Sequence, residues 1–311
     1  MNDEPLTTVD FWAFRSKSST SDLKNLVGAI YRHQAGLKVD FISTGSGWQG
    51  YAHKDLITAN GANLGIIAHG GKHQRGWSYV GISGTGCEWL GDVEQAHREA
   101  SQVDSYSLRR VDIALTLMDG SVGHESVLSA YETGGFKAGV RPPKLSQILP
   151  GDPREGRTIY IGSRERDKFF RAYEKGFEML RGAPENMRQT LKEIDGVPVE
   201  DIYRLELELK PKTCPLPVDL IESRDQYFSG AYPYLQQVLQ VEPRVMEIRR
   251  DVGPQLNLEA ALANIQQQYG PTLFTALTAY EGDVCRLMSK IMGDRHNAAL
   301  VEAGVLLADH G

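Results

Sequence analysis

The sequence predicts an α+β fold, a central and mostly antiparallel sheet followed by a helical C-terminal part. The run Tyr203 to Lys210 alternates strictly between apolar and charged residues, as a strand with one buried face does, and Arg110 to Leu117 reads as a strand with the charged pair Arg110 and Asp112 on one face of an otherwise apolar run. Shorter β-like runs at Val39 to Ile42, Gly65 to Ala68 and Trp77 to Ile82 are punctuated by glycines. Beyond Pro217 the apolar spacing becomes helical.

In chain order, Val9 to Phe14 reads as a strand, and Ser21-Asp22 can cap a helix on which Leu23, Leu26, Val27, Ile30 and Tyr31 recur at helical spacing. The three short β runs follow. Asp92 to Ala100 suggests a helix, Arg110 to Leu117 a strand, and the next helix ends at Gly134-Gly135. The proline-rich stretch Arg141 to Gly156 reads as a loop. Strands follow at Thr158 to Gly162 and Phe169 to Tyr173, then Tyr203 to Lys210. Asn257 can cap a helix from Leu258 to Gln268, Gly270-Pro271 should end it and start another through Met292, and a last helix runs to Leu307. The regions expected are an N-terminal α+β part over 1–105, a sheet carrying the chemistry over 106–212, and a helical part over 213–311.

The chain has 311 residues, 41% hydrophobic and 24% charged, which fits a globular protein able to bury a full core. The N-terminus has no basic stretch leading into an apolar one, and no run is long enough to cross a bilayer, so a cytoplasmic protein with no membrane partner is expected. Cys87, Cys214 and Cys285 match no disulfide framework or zinc spacing. A net charge of −6 argues against a protein that coats nucleic acid non-specifically, because such binding needs excess Lys and Arg. One local basic surface remains compatible with it. The segment Arg154 to Lys175 is rich in Arg and Lys, although acids are interleaved there.

The period of two places Arg110, Asp112 and Ala114 on one strand face, Arg204, Glu206, Glu208 and Lys210 on another, and Phe169, Arg171, Tyr173 and Lys175 on a third. Were these strands neighbours, Asp112, Glu206 and Glu208 would surround a pocket containing Tyr173. Hard oxygen ligands suit Mg²⁺ or Mn²⁺, which neutralise charge in phosphoryl transfer. The phenol would be the nucleophile. Its ordinary pKa of about 10 requires activation by Lys175 or the metal. Taken singly, each strand reads as a solvated sheet face; the combination carries the chemistry.

Other motifs are weaker. Gly45-Ser-Gly-Trp-Gln-Gly50 fits GxGxxG, but Trp48 inside it and the strand expected to follow it favour a glycine-rich hairpin over a dinucleotide site. His69 and His73 are separated by Gly70-Gly71-Lys72, a turn rather than a helical ligand pair.

The ordered words Arg110-Val-Asp-Ile-Ala, Thr158-Ile-Tyr-Ile-Gly-Ser-Arg164, Phe169-Phe-Arg-Ala-Tyr-Glu-Lys-Gly176 and Arg204-Leu-Glu-Leu-Glu208 resemble the replication initiation factor family of filamentous phages, rolling-circle plasmids and integrative elements. Gly81 to Cys87 and the helical C-terminus are similar too. The resemblance implies a nickase that cuts one strand of a replication origin and stays linked to the 5′ phosphate. It implies Tyr173 as nucleophile, Lys175 and Arg171 as phosphate-stabilising residues, and Asp112, Glu206 and Glu208 as ligands of Mg²⁺ or Mn²⁺. Arg110, Arg164, Lys168 and Arg204 are the expected DNA contacts. Origin DNA, single-stranded or extruded, is the implied partner; a host helicase and a homodimer are further expectations. Members often carry a further acid at the position of Thr116, so this chain departs from the pattern there. That departure keeps open a protein that binds an origin or operator without cutting it. A metal-dependent nucleotidyl transferase is the third class, and would give Tyr173 no covalent role.

Overall fold

The computed structural model describes residues 6–137, 141–184, 187, 190–246, 258–297 and 300–301. The chain divides into two compact units, residues 1–248 and 249–311. In the first, β1 (Thr8–Ser16) leads into helix α1 (Thr20–Ala35). The helix is capped by the Ser19 side chain, which accepts from the Asp22 amide, two residues earlier than the sequence suggested. Gly36, at φ 62°, closes it in the left-handed conformation that glycine adopts without steric penalty. Then come β2 (Asp40–Ser43), β3 (His53–Ala59), β4 (Ala62–His69), β5 (Ser78–Ile82) and the short helices α2 (Gly84–Glu88) and α3 (Val93–Ala100). The next strand, β6 (Ser107–Leu117), is followed by α4 (His124–Glu132), β7 (Leu145–Ile148), β8 (Thr158–Gly162) and β9 (Lys168–Tyr173). Helix α5 (Lys175–Arg181), the small hairpin β10 (Glu193–Ile194) and β11 (Val197–Pro198), and β12 (Tyr203–Leu209) complete the strands.

Ten strands form one sheet in the order β2-β3-β4-β5-β1-β6-β12-β9-β8-β7, with every neighbouring pair antiparallel. The α+β expectation is borne out. A single hydrophobic core runs under one face of the sheet, from Trp12 and Tyr31 through Val111 and Phe170 to Leu235, so the helices Arg224–Ser229 and Pro233–Leu239 share the core of the sheet. The expected division at 105/106 falls between two halves of this sheet.

Those halves have the same topology. In each, a strand is followed by a helix and then a meander that returns to lie beside the first strand: β1-α1-β2-β3-β4-β5 in one, β6-α4-β7-β8-β9-β12 in the other. β1 and β6 pair antiparallel at the seam. The sequence shows no repeat, yet the registers correspond. Tyr79 lies between Arg15 and Ala68 just as Arg204 lies between Thr116 and Tyr173. Gly81 lies between Ala13 and Ile66 as Glu206 lies between Ala114 and Arg171.

β3 is the strand expected after the glycine-rich segment; its inward positions include a charge, Asp55, which is buried and satisfied by Lys24 at 2.6 Å. The stretch Arg141 to Gly156 contains the edge strand β7, short and mostly exposed, so the prolines flank a strand instead of filling a loop. The glycine-rich segment 45–50 turns as a hairpin, with Trp48 bridged to Tyr51.

In the second unit, the helix Leu258–Ala279 runs through Gly270-Pro271, where the sequence suggested an end, and Val284–Ile291 follows, capped by Asp283. The proposed cap Asn257 lies outside the described residues, as does most of the last expected helix. No described helix is long and apolar enough to cross a membrane.

Candidate active site

The strands expected to cooperate are adjacent, in the order β6-β12-β9. Three cross-strand rows result on the face opposite the core. The first is Thr116, Arg204 and Tyr173; the second Ala114, Glu206 and Arg171; the third Asp112, Glu208 and Phe169. The alternation in β12 is realised, with Leu205, Leu207 and Leu209 in the core beneath.

Although they stand on the open face, Asp112, Glu206 and Glu208 are buried, because cations cover them. Arg110 grips Asp112 with two bonds, Nε to Oδ1 at 2.8 Å and Nη2 to Oδ2 at 2.5 Å, and reaches Glu208 at 2.9 Å. Lys210 at 2.5 Å and Arg164 at 3.4 Å complete the surroundings of Glu208. Arg171 donates to Glu206. Among the described residues, no three His, Cys, Asp or Glu side chains group closely enough to hold a metal ion. In this arrangement the three acids do not fit a divalent cation, since guanidinium and ammonium groups occupy the places it would take.

Crowding of like charge leaves a mark on Asp112. Burial pushes its carboxyl up to about 6, Arg110 opposes the rise, and Glu208 and Glu206 add to it. Burial likewise raises Glu206, against the pull of Arg171 and with repulsion from Asp10 added. Because the folded pKa of Asp112 exceeds its unfolded value of about 3.9, the folded state holds the extra proton between about pH 4 and 6. The contribution is full below that window and is lost as pH rises through 6. Relative to Asp112→Asn, the wild type should therefore lose up to about 3 kcal/mol of stability between pH 4 and 7, measured by urea unfolding at a series of pH values.

Tyr173 ends β9 on the wall of a cleft of about 1300 Å³ shared with Asp10, Thr116, Lys175, Glu178 and Arg204. The Arg171 guanidinium lies 4.8 Å and the Lys175 ammonium 5.8 Å from its ring centre. Burial nonetheless raises the phenol above its usual range; Arg204 and Arg171 draw it down while Glu178 and Glu206 push it up. Lys175, expected to activate the phenol, is instead bonded to Glu178 at 2.6 Å. Glu178 itself is held below the ordinary carboxylate range: burial opposes, but Lys175, the Tyr173 hydroxyl and Arg171 prevail. It is ionised and within reach of the phenol.

Arg204 bonds Thr116 Oγ1 through Nε at 2.8 Å and Asp10 through Nη1 at 3.0 Å. The acid missing at Thr116 thus has a counterpart on the neighbouring strand β1. Sequence reasoning missed Asp10 because a register shift between Val9 and Phe11 breaks the alternation there. It missed Glu178 because that residue belongs to α5, one turn beyond the strand; the Lys175-x-x-Glu178 spacing on a helix was the available signal.

The word Tyr-Glu-Lys-Gly acquires a structural meaning. Glu174 accepts from the Arg157 amide at 2.6 Å and from its guanidinium, tying β9 to the start of β8. At Gly176 a Cβ would stand 2.1 Å from the Val199 carbonyl oxygen. Gly176→Ala should lower stability by about 1–3 kcal/mol, read from denaturant unfolding.

Not every expected residue joins the site. Lys168 points to the opposite face of β9, where its ammonium donates to the Ala231 carbonyl at 2.5 Å and lies 4.2 Å from the Tyr232 ring centre. Arg164 reaches only its rim, half exposed over Phe169 with Glu208 at 3.4 Å. Tyr203 is in the core, and Tyr160 stacks on Phe169 at 5.6 Å.

Residues 106–257 match the family described as replication initiation factor. Among solved structures, the chain resembles the rolling circle replication initiator protein from Geobacillus stearothermophilus, with 16% identity over 72% of this chain and 83% of the other, at a TM-score of 0.51. That likeness is one of fold. No curated protein matches the chain.

Proposed function

We propose that this chain, whose residues 106–257 match the replication initiation factor family, is a replication initiator that nicks one strand of origin DNA through Tyr173. The observation that carries the reading is the position of the phenol: it is the hydroxyl at the wall of a wide cleft, flanked by Arg171 and Arg204, with the Glu178 carboxylate in reach. The phenol oxygen attacks the scissile phosphorus and its proton passes to Glu178. The bond from phosphorus to the 3′ oxygen breaks, and that oxygen leaves as a hydroxyl with a proton taken from solvent water in the open cleft. A 5′-phosphotyrosyl link results, so the energy of the phosphodiester is kept and rejoining needs no nucleotide. Arg171 and Arg204 supply positive charge where it develops on the phosphoryl oxygens. With Asp112, Glu206 and Glu208 paired to Arg110, Arg171 and Lys210, dependence on Mg²⁺ or Mn²⁺ is a question for the experiment below.

The second reading, a protein that binds an origin without cutting, is favoured by one observation: every arginine around the phenol already holds a carboxylate. One experiment separates the two. Wild type and Tyr173→Phe are incubated with single-stranded DNA from the protein's own replicon, with Mn²⁺ or with chelator, and run on a denaturing gel. A covalent adduct in wild type alone supports nicking, and its loss with chelator establishes metal dependence. Specific binding without an adduct on any strand supports the non-cutting reading.

A further inference from the structure

The half of the sheet without Tyr173 has lost the chemistry but not the charge. At the positions matching Tyr173, Arg171 and Glu206 stand Ala68, Ile66 and Gly81. Where Thr116 and Arg204 stand in one half, Arg15 and Tyr79 stand in the other. A register shift between Ala13 and Phe14 leaves Arg109 as an extra residue at the seam, and both Arg109 and Arg110 act on Tyr79.

The cations here differ from those of the candidate active site. There, Arg110, Arg171 and Arg204 each hold a carboxylate. Arg15, Lys17 and Arg109 form no ion pair among the described residues, and the buried Arg15 Nε has no acceptor. Arg109 is drawn below its usual pKa by burial and by repulsion from Arg15. Aromatic rings lie among them: the Arg15 guanidinium is 4.2 Å and the Lys17 ammonium 5.4 Å from the Trp77 ring centre, and Trp48 lies 4.7 Å from Tyr79. Trp48, Tyr51, Trp77 and Tyr79 are all partly exposed. Uncompensated cations interleaved with accessible rings suit a ligand that is both polyanionic and rich in flat bases, which is unpaired nucleic acid. A duplex hides its base faces and could use only the cations.

We propose that Arg15, Lys17 and Arg109, with Trp48, Trp77 and Tyr79, form a stacking platform for single-stranded DNA. It holds the strand that continues to Tyr173. The platform rests on the nicking reading for the identity of the DNA, and extends it by naming the surface. From β5 to β9 the sheet spans four strand spacings, about 19 Å, so the platform engages bases a few nucleotides from the cut.

The test uses the full chain carrying Tyr173→Phe and a fluorescein-labelled oligodeoxythymidine of about 16 nucleotides, read by anisotropy. Trp77→Ala should weaken binding about tenfold or more, with Trp77→Phe retaining most of it. Arg15→Gln combined with Arg109→Gln should weaken it similarly and flatten the salt dependence by about 0.7 in log–log slope per cation. Arg98→Gln, a surface cation elsewhere, should change neither, and unaltered melting temperatures exclude misfolding. Unchanged affinity in the platform variants overturns the proposal, as does equal affinity of the parent for a blunt duplex. Adduct formation on replicon DNA is scored separately in chains with Tyr173 intact. Platform loss without any adduct leaves this inference standing and removes nicking; an adduct with no platform effect does the reverse.

Discussion

Tyr173→Phe is expected to reduce strand cleavage by about 10⁴-fold or more, because no other tyrosine lines the cleft among the described residues. The other tyrosines of the region are badly placed. Tyr203 lies in the core on the far face of β12, with its hydroxyl unbonded, so Tyr203→Phe should leave cleavage unchanged and stability equal or higher. Tyr160 lies on β8 opposite Arg171, stacked on Phe169, outside the cleft, and Tyr160→Phe should also cleave normally. The pH profile adds a second expectation. Glu178 is held ionised below its ordinary range while the phenol stays protonated above its own, so the wild-type rate should be level through neutrality, and only in Glu178→Gln should it climb with pH. Glu178→Gln should remove the proton acceptor and cost about 10²-fold or more in rate. Single-turnover cleavage of a labelled origin strand measures all of these, and a wild-type rate that climbs steadily through neutrality would show that Glu178 is not the proton acceptor.

The largest loss of stability should come from Arg110→Leu. The Arg110 guanidinium bridges Asp112 and Glu208, both buried, and stacks 4.5 Å from the Phe11 ring centre. Removing one member of a buried pair strands the other, at about 3–5 kcal/mol. Glu208 keeps Lys210 and Arg164, so the penalty falls chiefly on Asp112, which has no other cation within bonding distance among the described residues. About 3 kcal/mol is expected at pH 7, shrinking towards pH 4 as Asp112 takes up a proton. The double variant Arg110→Leu with Asp112→Leu should recover most of the loss, because burying neither charge is comparable to burying both. Urea unfolding of the wild type and these two variants decides it.

The strands that carry the chemistry were legible because β12 alternates strictly and a period of two, applied to β6 and β9 as well, fixes which side chains share a face. What the alternation could not convey is how those side chains would satisfy one another. Asp112, Glu206 and Glu208 read as ligands because oxygen clusters suggest cations; the cations turned out to include Arg110, Arg171 and Lys210 from the same strands. Lys168 read as a DNA contact from its neighbourhood, although its own parity sends it to the opposite face. Asp10 was hidden by a bulge and Glu178 by a change of element. The twofold repetition of topology was invisible for a different reason: backbone pairing needs only compatible apolar spacing, so Tyr173 and Ala68 can occupy matching places with nothing in common.

The seam between β1 and β6 makes the two halves one hydrogen-bonded body. A joint of this kind does not flex as a linker does. It therefore acts as a ruler, fixing the separation between bases held on one half and the phosphate presented to Tyr173 on the other. Nucleotides inserted between these points would not be absorbed by the protein. They would move the cut along the strand by the same number.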